Sequence, residues 1–130
     1  MSPVSPLSRT RLEVKVSIVG GGFIFDPPLR EHGYQFSKLA QRGTIIFILL
    51  TKGYTFCGCS FHPIRGGMPG VEARWNTSTR GADELVVTLA FPAGVIQEGD
   101  LHLYCLHESG TVHLIDPQVG NDGETGDGST

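Results

Sequence analysis

Apolar and polar residues alternate along several short segments of the chain, the pattern of β-strands with one buried face. The clearest case is RLEVKVSIV at residues 11–19, where every second residue is apolar. The same period recurs in VEARW at 71–75, ELVVTLAF at 84–91 and DLHLYCLH at 100–107. Each segment is therefore predicted to be a strand that faces a core on one side and water on the other.

TIIFILLT at 44–51 is the strongest strand signal, because it is rich in β-branched residues and apolar on both faces. Such a strand is prone to aggregation if it lies at a sheet edge. We therefore expect it to be central, or covered by another subunit, which makes a homo-oligomer a reasonable expectation. A short strand is predicted at 23–25, and a short helical turn at 34–40.

The chain contains 18 glycines and 8 prolines, which suit short strands joined by tight turns better than a helical bundle. We predict an all-β, immunoglobulin-like antiparallel β-sandwich of about seven or eight strands. The domain should span 11–117, between a flexible N-terminal arm at 1–10 and a disordered acidic, Gly-rich tail at 118–130. The predicted core comprises Val14, Val16, Ile18, Ile45, Phe47, Leu49, Val87, Leu89, Leu101, Leu103 and Cys105.

A length of 130 residues suggests one domain, and the 39% hydrophobic and 18% charged fractions are those of a soluble globular protein. The net charge of −3 gives no electrostatic case for nucleic acid or for an anionic membrane. The first ten residues lack the apolar core of a signal peptide, and no apolar run approaches the ~20 residues of a membrane helix. A cytoplasmic location is expected.

The segment YTFCGCSFHP at 54–63 places two cysteines and a histidine close together. In a regular strand Cys57, Cys59 and Phe61 share one face. Free cysteine behaves as a small apolar residue and is often buried, so these are predicted core positions. Gly58 marks a bulge or a close approach of another backbone.

A zinc or redox site is the alternative interpretation of this segment. Its candidate ligands are Cys57, Cys59, His62 and either Cys105 or His107. Structural zinc usually takes two Cys-x2-4-Cys or His-x3-5-His pairs, and the Cys-x-Cys spacing has no second pair to match it. We therefore predict no metal and no cofactor. A catalytic cysteine would need an activating base, and the five histidines are scattered, with His102 and His113 expected on wet strand faces.

A tryptophan beside arginines and an amide is the main candidate binding surface. Trp75 lies between Arg74 and Asn76, and Arg65 and Arg80 are the other arginines of this candidate surface. Such a group can stack a sugar or anchor a protein partner. The alternation of Val71, Ala73 and Trp75 nevertheless favours a core position for the indole.

The order of several motifs resembles the small bacterial proteins of the DP-EP family. These proteins open with an alternating strand, carry a central F-x-L-x-T-x-G-Y-x-F hairpin and close on an Asp-Pro motif. The matching positions span most of residues 11–122: Phe47, Leu49, Thr51, Gly53, Tyr54, Phe56, Asp116 and Pro117. The resemblance implies a single β-domain and assigns no activity and no catalytic residue.

These observations favour a non-enzymatic module that binds a protein partner or its own copies. The first alternative is a carbohydrate-binding module that uses Trp75, Arg74 and Asn76. The second is a small zinc or redox protein that uses Cys57, Cys59 and Cys105.

Overall fold

The computed structural model of the protein describes residues 9–77 and 83–123. These residues form ten strands and no helix, so none of them belongs to a helix that could span a membrane. The strands are β1 (Arg11–Val19), β2 (Gly22–Asp26), β3 (Tyr34–Ser37), β4 (Arg42–Leu49), β5 (Tyr54–Arg65), β6 (Gly70–Thr77), β7 (Asp83–Ala90), β8 (Glu98–His107), β9 (Val112–Ile115) and β10 (Gln118–Gly123).

The strands form two five-stranded mixed sheets, an arrangement consistent with a β-sandwich. The first sheet has the order β2-β1-β4-β7-β6, and the second has the order β3-β10-β8-β5, with β9 pairing β8. The predicted all-β class is confirmed. The predicted strand number and the purely antiparallel pairing are wrong, since β1 pairs β4 and β10 pairs β3 in parallel. Both parallel pairs join strands that are distant along the chain, and hydrophobic periodicity does not report such pairings.

The β1–β2 hairpin forms at a glycine turn. Val19 pairs with Gly22, which leaves Gly20 and Gly21 as a two-residue loop. Both have positive φ, 58° and 84°, as the tight turns that match strand twist require. Glycine adopts this conformation at little steric cost, so the three consecutive glycines fix the hairpin.

Strand β4 is central in the first sheet, between β1 and β7, as TIIFILLT predicts. Ile45 and Phe47 point into the core and are fully buried. On the outer face Ile46 is only 6% exposed, because it lies between Glu13 of β1 and Val86 of β7. The chain itself covers this strand, which therefore gives no reason to expect a second subunit over it.

The predicted core residues on β1, β4, β7 and β8 are all buried in one hydrophobic cluster between the sheets. The core position predicted for Cys57 is wrong, since this residue is exposed, whereas Cys59 is half-buried against the cluster. Full burial of each large aliphatic or aromatic side chain contributes about 1.5–3 kcal/mol. Further members of the cluster are Tyr34, Phe36, Phe56, Phe61, Leu85, Phe91, Ile115 and Val119.

Two local predictions are wrong. The segment 34–40 holds strand β3 in place of a helical turn, because Tyr34 and Phe36 both point inward at a spacing of two. The predicted tail begins too early, since 118–123 is strand β10, in which Val119 and Asn121 are fully buried. The segment is polar and Gly-rich, so it has no apolar alternation from which a strand could be predicted. The rest of the predicted tail, 124–130, and residues 1–8 of the predicted arm lie outside the described part of the chain. The last part of the arm contacts the domain, since the Arg9 carbonyl accepts a hydrogen bond from the Ser37 backbone amide at 2.8 Å.

Candidate functional site

Trp75 lies on β6, the last strand of the first sheet, and its side chain is 49% exposed. The core position favoured by its alternation with Ala73 is therefore wrong. Trp75 does point to the core side of the sheet, opposite the fully buried Leu85 of β7. The strand lies at the sheet edge, so the indole protrudes past the core and half of its surface meets water.

The other residues of the predicted binding surface are not gathered around the indole. Arg74 and Asn76 are neighbours of Trp75 on a regular strand, so they point to the outer face of the sheet. Arg65 lies on β5 of the second sheet. Arg80 is outside the described residues.

Arg65 instead belongs to a surface network of the second sheet. Its guanidinium lies 2.8 Å from the Glu98 carboxylate and 2.6 Å from that of Asp122. The hydrogen bond to Asp122, followed by that to Glu98, raises the pKa of Arg65 above its usual value. Gln35 completes the network, donating to Glu98 at 3.1 Å and accepting from the Asp122 amide at 2.9 Å. Arg65 therefore joins β5 to β8 and β10, and Gln35 joins β3 to the same two strands.

Among the described residues, β6 is the sheet edge with the fewest features that block further pairing. Natural edge strands are usually short, bulged, or interrupted by proline, because their free backbone groups can recruit another strand. Strand β2 has five residues and ends before Pro27 and Pro28, and β3 and β9 have four residues each. Strand β5 carries two register shifts and contains Pro63. By contrast, β6 pairs with β7 without a bulge along its whole length of eight residues.

The edge at β6 also exposes apolar side chains. Besides Trp75, the strand exposes Val71, the β5–β6 connection exposes Met68, and the end of β5 exposes Ile64. Val71 and Trp75 lie on the same face of one strand, and apolar residues exposed in this way commonly mark an interaction site. The backbone and the side chains of this edge therefore both favour a partner.

The structure does not bring the candidate metal ligands together. A bulge between Phe56 and Gly58 turns Cys57 outward, while Cys59 is half-buried and Cys105 is fully buried. Of the two alternatives predicted for Gly58, the register shift agrees with the bulge, and it breaks the shared face expected for the two cysteines. His62 points to the outer face, opposite Asp100. No group of three His, Cys, Asp or Glu side chains within the described ranges could hold a metal ion.

The environments of the thiols disfavour the thiolate form that a ligand or nucleophile needs. Burial raises the pKa of Cys59. Burial, followed by the proximity of Cys57, raises the pKa of Cys105 to about 12. Neither thiol is activated.

The histidines are distributed over two surfaces. On the outer face of the second sheet, the rings of His62 and His102 stack with centroids 3.9 Å apart. The prediction of a wet face is wrong for His113, which is half-buried against Phe23 and Tyr54, with ring centroids 6.5 and 5.5 Å away. His113 follows the inward register of Cys105 on β8, so it helps to close one end of the core.

The buried polar centre of the protein is Asn121. Its Oδ1 accepts from the Gln97 amide at 2.7 Å, and its Nδ2 donates to the Ala40 and Val95 carbonyls at 3.0 and 2.9 Å. The β3–β4 connection and the β7–β8 connection are thereby both tied to β10. This residue was missed because a buried asparagine in a polar, Gly-rich segment has no periodic signal in the sequence.

No protein-family model matches the chain, and no curated protein matches it significantly. The resemblance to the DP-EP family therefore stays a prediction. The absence of enzymatic activity and of a cofactor likewise stays a prediction.

The sequence did contain a signal for the β6 edge. Glu72 and Arg74 are charged and Val71, Ala73 and Trp75 are not, so one face of a surface strand is apolar. The position of the strand at the edge depends on sheet order, which the alternation does not give.

Proposed function

We propose that the protein is a non-enzymatic self-assembly module with an immunoglobulin-like sandwich, in which β6 pairs with β6 of a second copy. The observation that carries this proposal is the regular β6 edge, whose outer side no described strand pairs, with its half-exposed Trp75. Two such edges joined antiparallel about a twofold axis continue the first sheet across both copies. This is a closed, isologous contact, the commonest kind in homodimers.

The β6 sequence complements itself in one particular register. When Ala73 lies opposite Ala73 of the second copy, Glu72 lies opposite Arg74, and this pair occurs twice. On the other face Trp75 lies opposite Val71, again twice. Opposite residues in an antiparallel pair point to the same face, so charges meet opposite charges and apolar groups meet apolar groups.

The expected affinity is modest. Each favourable cross-strand pair contributes about 0.2–1 kcal/mol. The backbone hydrogen bonds add a net ~1 kcal/mol each, against several kcal/mol lost in association. A contact of two eight-residue strands is smaller than a standard protein interface. We therefore expect a dissociation constant on the order of micromolar.

The test is a charge swap followed by light scattering over a dilution series of the full chain under reducing conditions. The wild type should shift from 14.0 kDa towards twice that mass as concentration rises. Glu72→Arg places an arginine opposite Arg74 in each of the two pairs. Each pair then loses about 0.5 kcal/mol of attraction and gains about 0.5 kcal/mol of repulsion, so the dimer should weaken about 30-fold. The double variant Glu72→Arg/Arg74→Glu restores both opposite pairs and should restore the dimer.

Glu13→Arg is the matched control, because it makes the same charge change on the same outer face but on the internal strand β1. It should leave the dilution curve unchanged. A mass of 14.0 kDa at every concentration would contradict the proposal. Equal dimerisation of the single and double variants would contradict the proposed register.

A carbohydrate-binding module is the second candidate, favoured by the exposure of the indole alone. Trp75 is the one tryptophan of the chain, so its fluorescence reports this surface directly. A sugar that stacks on the ring should change the emission of dilute, monomeric protein. In a β6 dimer the emission should instead shift to the blue as protein concentration rises. Emission unmoved by a panel of oligosaccharides would remove this candidate.

A further inference from the structure

A shallow depression of about 410 Å³ opens at one end of the first sheet, on the outer face and away from β6. It is lined by two arginines, two threonines and a glutamine: Thr10, Arg11, Gln41, Arg42 and Thr44. Every lining residue can donate a hydrogen bond from its side chain, and none carries a negative charge.

The parallel pairing of β1 with β4 creates this group. Arg11 lies directly opposite Thr44, and the Thr44 amide donates to the Thr10 carbonyl at 2.9 Å. Arg42 is two residues before Thr44 on the same strand, and so it lies on the same face. Two guanidinium groups from neighbouring strands are thereby held on one surface.

Neither of these arginines has an ion-pair partner within residues 9–77 and 83–123. The two ion pairs among the described residues both belong to Arg65. The nearest acidic side chains on this face are Glu13 and Glu72. Glu13 lies opposite Ile46. Glu72 lies three strands away from Arg11, across Thr44 and Thr88. Neither carboxylate lies within 4 Å of a guanidinium of the depression. The Thr44 hydroxyl is engaged only weakly, 3.4 Å from the hydroxyl of Thr88.

We propose that this depression binds an oxyanion, the phosphate or carboxylate group of a small ligand. Guanidinium groups present a planar fork of donors that matches both groups and stays charged at every physiological pH. The hydroxyl of Thr44 and the amide of Gln41 supply neutral donors beside them. The net charge of −3 disfavours a long polyanion, so the ligand is a compact molecule that touches this end of the sheet alone.

The test is a titration of ¹⁵N-labelled full chain followed by NMR at constant ionic strength, with inorganic phosphate in one arm and succinate in the other. We expect saturable shifts of the amides of Thr10, Arg11, Arg42 and Thr44, with a dissociation constant on the order of 1 mM for the better ligand. The arm with the lower dissociation constant identifies the preferred group. Sodium chloride replaces the ligand in the reference titration.

Arg11→Gln/Arg42→Gln should weaken binding at least about tenfold, because both charge-assisted contacts are lost. The matched control Lys15→Gln/Lys52→Gln removes the same charge elsewhere and should bind like the wild type. Shifts that are linear in ligand, equally large in chloride, or unchanged in the double arginine variant would overturn the proposal. Equal weakening by the lysine control would do the same, since it would show a general charge effect.

Discussion

Replacing Asn121 by alanine removes three hydrogen bonds from a side chain that is fully buried. The Gln97 amide loses its acceptor, and the Ala40 and Val95 carbonyls lose their donor. A buried polar group left without a partner costs about 1–3 kcal/mol. Because Ala40 and Val95 are only half-buried, water can reach their carbonyls after the substitution. We therefore expect a total loss of about 3–5 kcal/mol, a large part of the ~5–15 kcal/mol that a domain has.

The assay is urea unfolding of the full chain, with the free energy taken from the midpoint and slope. Asn76→Ala is the matched control, since it makes the same chemical change at an exposed position and should cost less than about 0.5 kcal/mol. A loss below about 1 kcal/mol for Asn121→Ala would refute the assignment of Asn121 as the polar centre of the fold.

Asn121→Asp tests the donor role separately. The introduced carboxylate can still accept from the Gln97 amide, but it faces the Ala40 and Val95 carbonyls. Burial and these carbonyls favour its protonated form, so its pKa in the folded state should lie above the unfolded value of ~4. The folded state then binds more protons, and stability should fall by about 1.4 kcal/mol per pH unit from ~4 up to the raised pKa. A variant whose loss of stability is the same at pH 4 and pH 7 would contradict this geometry.

Two further predictions follow from pKa shifts. Burial, followed by the negative charge of Asp26, raises the pKa of Tyr34 to about 12. The protonated phenol therefore contributes its whole stabilisation below pH ~10, and the free energy of unfolding should fall by about 1.4 kcal/mol per pH unit between ~10 and ~12. Tyr34→Phe should flatten this alkaline decline in denaturation curves, and an unchanged decline would assign it to another group. Cys57 should react rapidly with a thiol reagent in the native state, whereas Cys105, buried and with its pKa raised to about 12, should react only on unfolding. Survival of the fast phase in Cys57→Ser would show that another thiol is accessible.

The core was predictable because burial alternates with the period of a strand. The predicted members on β1, β4, β7 and β8 all lie in the hydrophobic cluster, whereas alternation failed at Cys57 and Trp75, which are exposed. The central position of β4 was predictable for the same reason, since a strand that is apolar on both faces must be covered on both. These inferences need only the local pattern and the cost of leaving apolar groups in water.

Sheet order and polar burial were not predictable in this way. Trp75 alternates with Ala73 as a core residue would, yet it lies at an edge where the opposite sheet does not cover it. Strand β10 appeared to be a tail because Asn121 is polar, and its burial depends on three partners distant along the chain. The arginine depression depends on the parallel pairing of β1 with β4, which connects segments about thirty residues apart.

The separation of two spin labels in the assembled protein tests the central claim most directly. In the proposed register Asn76 lies opposite Gly70 of the second copy, so the two Asn76 positions are about 20 Å apart along the paired strands. Cys57→Ser/Asn76→Cys carries one label per chain at an exposed site, and Cys57→Ser/Lys52→Cys is the control at a turn outside β6. Pulsed electron paramagnetic resonance should give one intermolecular distance of about 20 Å for labels at position 76, with a distribution widened by the label arms. This distance should disappear when the substitution Glu72→Arg is introduced into the labelled protein. The absence of intermolecular coupling at high concentration, or a distance that does not depend on Glu72, would contradict pairing through β6.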